Sequence, residues 1–91
     1  MARPLPLPPE GYIEIPGFPE LIRHPEVLGG KPCIRGTRIS ADLVLGFLAG
    51  GSSVDEIRDE YEDLTRQEIV AVIRYASALM PGNATESQLA A

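Results

Sequence analysis

Three cations, Lys31, Arg35 and Arg38, fall in a segment from Gly29 to Ser40 that contains no acid. The chain as a whole carries eight basic and thirteen acidic residues, a net charge of −5, so this run concentrates positive charge in an acidic protein. Such a surface faces an anion. It has three readings. As a nucleic-acid contact it is an extended arm or hairpin that donates to phosphates or enters a groove, with Lys31, Arg35, Thr37 and Arg38 as the contacting residues. As a docking surface it meets acids of a partner or of a sister chain. As plain structure it is a turn in which Gly36 takes a positive φ and the arginines are solvated.

Other chemistry fails on spacing or supply. A phosphate-binding P-loop needs Ser or Thr after its lysine, and here Pro32 follows Lys31. His24 and Cys33 are the single residues of their kinds. A Cys–His dyad needs a third, orienting group and a pocket, so the pair reads as a half-exposed structural histidine and a buried strand cysteine. Three or four His/Cys metal ligands are not available. The acids Asp55, Glu56, Asp59, Glu60, Glu62 and Asp63 alternate around a helix and read as a solvated face. No catalytic residue, metal or cofactor is expected, and the chain is not expected to be an enzyme. One cysteine cannot form an internal disulfide. No apolar run approaches the roughly 20 residues needed to cross a bilayer, and proline interrupts the first nine residues too often for a secretion signal. A cytoplasmic location, with no membrane partner, is the expectation.

The elements that must position these residues fall into two styles. From Tyr12 to Ile39 breakers are dense, and short apolar pieces (Tyr12–Ile15, Leu21–Arg23, Cys33–Arg35) predict strands or extended arms. From Ser40 the pattern is helical. Ser40 caps a first helix that the Gly50-Gly51 pair stops. Ser53 with Glu56, and Thr65 with Glu68, each have the capping-box spacing. Val54, Ile57 and Tyr61 mark the buried face of the second helix. Ile69, Val72, Ile73, Ala76 and Met80, with Leu79 beside them, mark that of the third, which Pro81 ends. The fold class expected is mainly α: a three-helix, homeodomain-like or winged helix-turn-helix core with a short N-terminal β-rich arm. Residues 1–10 are expected to be a proline-rich flexible tail, 11–81 one domain, and 82–91 a flexible C-terminal tail.

In the helix-turn-helix reading the second and third helices form the pair, with Leu64 buried in the turn. The exposed start of the third, Thr65, Arg66 and Gln67, is chemically able to contact phosphates and base edges. The alternative is that any three-helix bundle contains such a pair and that Thr65 and Glu68 only cap. Leu5, Leu7, Tyr12 and Phe18 are candidate apolar anchors for a protein partner.

The run His24-Pro25-Glu26-Val27-Leu28-Gly29-Gly30-Lys31-Pro32-Cys33-Ile34-Arg35-Gly36-Thr37-Arg38-Ile39 resembles the signature of the domain-of-unknown-function 433 family. Leu48-Ala49-Gly50-Gly51, Ser53-Val54-Asp55-Glu56-Ile57, Tyr61-Glu62-Asp63-Leu64-Thr65, Ile69 and Tyr75-Ala76 fit it too, so the similarity covers roughly residues 20–80. The resemblance implies a small VapB-like antitoxin with a helix-turn-helix core. It also implies a PIN-like ribonuclease toxin as partner. The expected function is therefore that of a type II antitoxin, a homodimer that binds the toxin and operator DNA. A protein-interaction module that never touches DNA is the alternative.

Overall fold

The computed structural model describes residues 6–81. The start of the proline-rich segment, including Leu5, and the stretch from 82 to 91 lie outside the described residues.

The breaker-rich half folds into three short antiparallel strands, β1 (Ile13–Glu14), β2 (Leu21–Arg23) and β3 (Cys33–Ile34), in that order across the sheet. Ile13 stands opposite Arg23, and Leu21 opposite Ile34. A single 3-10 turn at Leu28–Gly30 leads into β3. After β3 the chain reverses through residues 35–38, where Gly36 sits at φ +79°. A side chain is strained at that angle, so glycine fits the turn. The Ile34 N–H then donates to the Ile39 carbonyl at 2.9 Å, and Ser40 bridges Cys33. This return covers the outer edge of β3. The outer edge of β1 has no ladder partner among the described residues.

Ser40 ends the return and begins α1 (Ala41–Ala49), its hydroxyl accepting the Leu43 N–H at 3.2 Å. Helices α2 (Val54–Glu60) and α3 (Arg66–Leu79) both open on the predicted capping boxes, Ser53 with Glu56 and Thr65 with Glu68. Each cap satisfies N–H groups that the first turn leaves orphaned and is worth about 1 kcal/mol. Leu64 is buried in the turn between α2 and α3, and the Arg58 Nε–H holds that turn by donating to the Leu64 carbonyl at 3.3 Å. The core joins sheet and helices: Leu21 and Ile34 meet Val44, Ile57, Ile69 and Val72. Each such fully buried side chain contributes about 1.5–3 kcal/mol.

The apolar stripe of α3 differs from the expected one. Ile69 and Val72 are buried as predicted, but Ala71 and Tyr75 complete the face, and Ile73, Leu79 and Met80 are exposed. The helix is rolled toward Tyr75 because that ring has distant partners. Phe18 packs edge-on at 5.3 Å, and the Arg23 guanidinium donates to the Tyr75 hydroxyl at 2.7 Å. Seating Tyr75 under the sheet turns Ile73 and Met80 outward. No helix of the described residues is long and apolar enough to cross a membrane.

Candidate functional site

Of the three cations of the Gly29–Ser40 run, Lys31 and Arg38 line one depression at the start of α1 while Arg35 turns toward β1. Lys31 reaches the start of α1, where its Nζ lies 3.0 Å from the Asp42 carboxylate, both side chains exposed. A hydrogen bond from the Ser40 hydroxyl, and after it the Lys31 ammonium, hold the Asp42 carboxyl below its ordinary range. Arg35 turns the other way. Its Nε–H donates to the Pro19 carbonyl at 2.9 Å, and one of its Nη groups bonds the Glu14 carboxylate on β1. That bond lowers the Glu14 carboxyl and raises the Arg35 guanidinium. Arg38 donates to the Pro6 carbonyl at 2.8 Å. The hydroxyl of Thr37 is spent inside the turn, donating to the Ile34 carbonyl at 2.7 Å and accepting the Ile39 N–H at 3.0 Å.

At the start of α3, Thr65 is engaged by Glu68 through its capping box. Arg66 lies 3.7 Å from Asp55, with both side chains well out in solvent. Gln67 donates to a Glu20 carboxylate oxygen at 3.0 Å. Glu20 is the residue that links the two sequence-selected regions. Its carbonyl accepts the Arg35 N–H at 2.9 Å, while its side chain holds Gln67. The Gln67 bond is the main reason its carboxyl is lowered, with its own backbone N–H and the charge of Arg74 adding to it. The second carboxylate oxygen of Glu20 is buried without a hydrogen-bond partner. The structure therefore ties Gln67 to the Arg35 backbone through Glu20, while the Arg35 side chain turns to Glu14 and Arg66 faces Asp55 of α2. Arg38 lines a cleft with Tyr61, Glu62 and Asp63 of the α2–α3 turn. Arg38 also lines a second depression, at the start of α1, together with Lys31, Ser40 and Asp42. Sequence reading had no signal for Glu20, which lies 47 positions from Gln67.

The remaining candidates have structural duties. Tyr12 donates its hydroxyl to the Pro8 carbonyl at 2.7 Å and sets its ring edge-on to His24 at 5.0 Å. Phe18 is half-buried between Tyr75 and the Arg74 guanidinium. Leu7 lines the Arg38 cleft. The apolar side chains that stand most exposed are others: Ile13, Leu79 and Met80.

His24 is buried, not half-exposed as expected, because the chain from Glu10 to Tyr12 lies over it. Its Nδ1 accepts the Glu26 N–H at 3.0 Å and its Nε2–H donates to the Glu10 carbonyl at 2.9 Å, an arrangement only the neutral ring can make. Gly11 crosses the ring closely: a Cβ there would stand 3.0 Å from Nε2, at a φ of +91°. Cys33 is buried, and burial pushes its thiol up, away from the reactive thiolate. Asp55, Asp59 and Glu62 line a shallow depression with Arg58. Among the described residues no group of three or more His, Cys, Asp or Glu is arranged to hold a metal ion.

Residues 22–76 match the model of a family described as "Protein of unknown function (DUF433)". The chain belongs to this family. The DUF433 match runs from β2 to the last turn of α3, so it takes in His24, the basic hairpin, α2 and most of α3. It leaves out β1 and the end of α3. A curated relative, "Uncharacterized protein y4eO" of Sinorhizobium fredii (strain NBRC 101917 / NGR234), is 35% identical over 54 residues, 59% of this chain. The match covers 24% of that protein, so this chain spans about a quarter of its relative's length. No solved structure matches.

Proposed function

We propose that this DUF433 protein is a VapB-like antitoxin of a type II toxin–antitoxin pair, a dimer that neutralises a PIN-like ribonuclease toxin and binds operator DNA. It acts by binding, with no chemistry of its own, in the cytoplasm. The observation that carries the DNA half is the α2–α3 pair. The two capped helices are joined by a tight turn with Leu64 buried in it, which supports the helix-turn-helix reading. Glu20 ties the hairpin to the start of α3, its side chain accepting from Gln67 and its carbonyl accepting the Arg35 backbone N–H, so the two basic regions are braced by one residue. The carboxylate partners of Arg35 and Arg66 are exposed, and exposed pairs are worth at most about 1 kcal/mol, so a phosphate can replace them. The acidic side of α2 suits the cation-rich RNA groove of a ribonuclease.

A second reading, a protein-interaction module without DNA binding, has its own support. Lys31, Arg35 and Arg66 each already face a carboxylate of this chain, Asp42, Glu14 and Asp55. Mobility-shift titration across a salt series, on the duplex upstream of the protein's own reading frame, separates the two. The antitoxin reading expects affinity to fall with salt at a log-log slope of about −2 to −4, a few phosphates neutralised. It also expects the Arg35→Ala, Arg38→Ala double variant to lose the shift while still binding protein partners. No shift, or one indifferent to salt, removes the DNA half.

A further inference from the structure

The most exposed apolar side chains on the helices lie together at the end of α3. Leu79 and Met80 are each 65% exposed. They form one wall of a groove of about 570 Å³ floored by Pro32, Ala41, Leu45 and Ala76, between α1 and α3. The rim carries both signs of charge, with Arg23 and Lys31 set against Asp42. Arg23 donates to the Tyr75 hydroxyl but has no ion-pair partner among the described residues. From Ile69 to Met80 the sole charged residue is Arg74, which is held over the Phe18 ring. None of the α2 acids lines the groove.

We propose that this groove is the homodimer interface, each copy setting Leu79 and Met80 into the groove of a second copy. A two-fold axis brings the same patch of both molecules together, so the patch must complement itself. This one does: it holds an exposed apolar wall next to an apolar hollow, and it sets Arg23, which has no ion-pair partner among the described residues, on the same rim as Asp42, whose exposed pair with Lys31 is weak enough to exchange. Rotation by two-fold symmetry lets Arg23 meet Asp42 of the partner subunit. Association here also keeps the acidic α2 surfaces of two −5 chains outside the contact. A dimer is part of the antitoxin reading, but the choice of this face rests on the groove alone.

Sedimentation equilibrium of the full chain tests it. The expected mass is twice the 9.8 kDa of one chain. Leu79→Asp and Met80→Asp each weaken self-association by at least about tenfold. Their thermal melts by circular dichroism stay near that of the parent, since both side chains are exposed in the single chain. Arg23→Glu weakens the dimer, and adding Asp42→Arg restores part of it. A monomer at every concentration overturns the proposal, as does a dimer indifferent to both aspartate variants. A monomer that still shifts DNA overturns this face and leaves the antitoxin reading standing. A dimer of the expected sensitivity that binds neither DNA nor toxin does the opposite.

Discussion

The sheet half and the helical half of this chain are held by different kinds of instruction. In the helical half each start is written within three positions, Ser53 with Glu56 and Thr65 with Glu68. In the sheet half the strands are two or three residues long, too short to hold by their ladders alone. What fixes them arrives from far along the chain. His24 bonds Glu10, Arg35 bonds Glu14, Glu20 takes Gln67, and Arg23 takes Tyr75. The sheet is therefore a product of tertiary contact, while the helices could be drafted locally and then packed. Ile34 and Ile69, one from each half, are both fully buried in the same core.

That contrast breaks most sharply at the shared core. Ile34→Ala and Ile69→Ala should each cost about 2–5 kcal/mol, and by the same cooperative transition. Urea unfolding followed by tyrosine fluorescence and by far-ultraviolet circular dichroism checks this. Separate midpoints for the two signals would mean that the halves fold independently. Next in size is a long-range bond set against a local one. His24→Ala leaves the Glu26 N–H and the Glu10 carbonyl without their ring partner and should cost about 2 kcal/mol. Ser53→Ala, which removes a cap, should cost about 1 kcal/mol. Hydrogen exchange should place the first loss around residues 10–12 and 26, and the second at the first turn of α2. Equal losses, or a dispersed pattern after Ser53→Ala, would erase the distinction.

The smallest effect is set by pH. The carboxyls of Glu14 and Glu20 in the sheet region, of Asp42 in α1 and of Glu56 in α2 are all held below their ordinary values. A depressed carboxyl adds stability that is fully present above its unfolded value and is lost as pH falls through its folded one. Stability should therefore decline only on acidification below about pH 4.5, the upper ordinary value of this set. Glu14→Gln should flatten the part of that decline that salt screens, because Glu14 answers first to its hydrogen bond from the Arg35 guanidinium, a charged donor, and then to that charge itself. Glu56→Gln should flatten a part less sensitive to salt, since Glu56 answers first to the backbone N–H of Ser53. Urea midpoints measured from pH 3 to pH 7 at two ionic strengths would show whether the two variants differ.

Legibility in the sequence follows the same division. The helix starts at Ser40, Ser53 and Thr65, the stop at Gly50 and the buried turn residue Leu64 are all local signals, and the structure has them. The three strand segments were also visible, as apolar pieces between breakers. The roll of α3 was not, because it depends on Tyr75 meeting Phe18 and Arg23, which periodicity within one helix cannot report. The candidate surface was half legible. Composition located Lys31, Arg35 and Arg38, yet their directions depend on Asp42, Glu14 and the Pro6 carbonyl. Thr37 shows the limit most plainly, since a hydroxyl in a basic run looks available until the turn around it claims both of its bonding roles.

The return of the chain after β3 has one more consequence, for how this protein avoids fibres. An exposed strand edge is a template on which other chains can stack. On one side the sheet is closed by Ile39 and Ser40 of its own hairpin. On the other, β1 offers a template only two residues long, carrying the charged Glu14 and followed two positions later by Pro16, which has no N–H to give. Ile13 can thus stand 55% exposed on that edge without inviting a second sheet to grow.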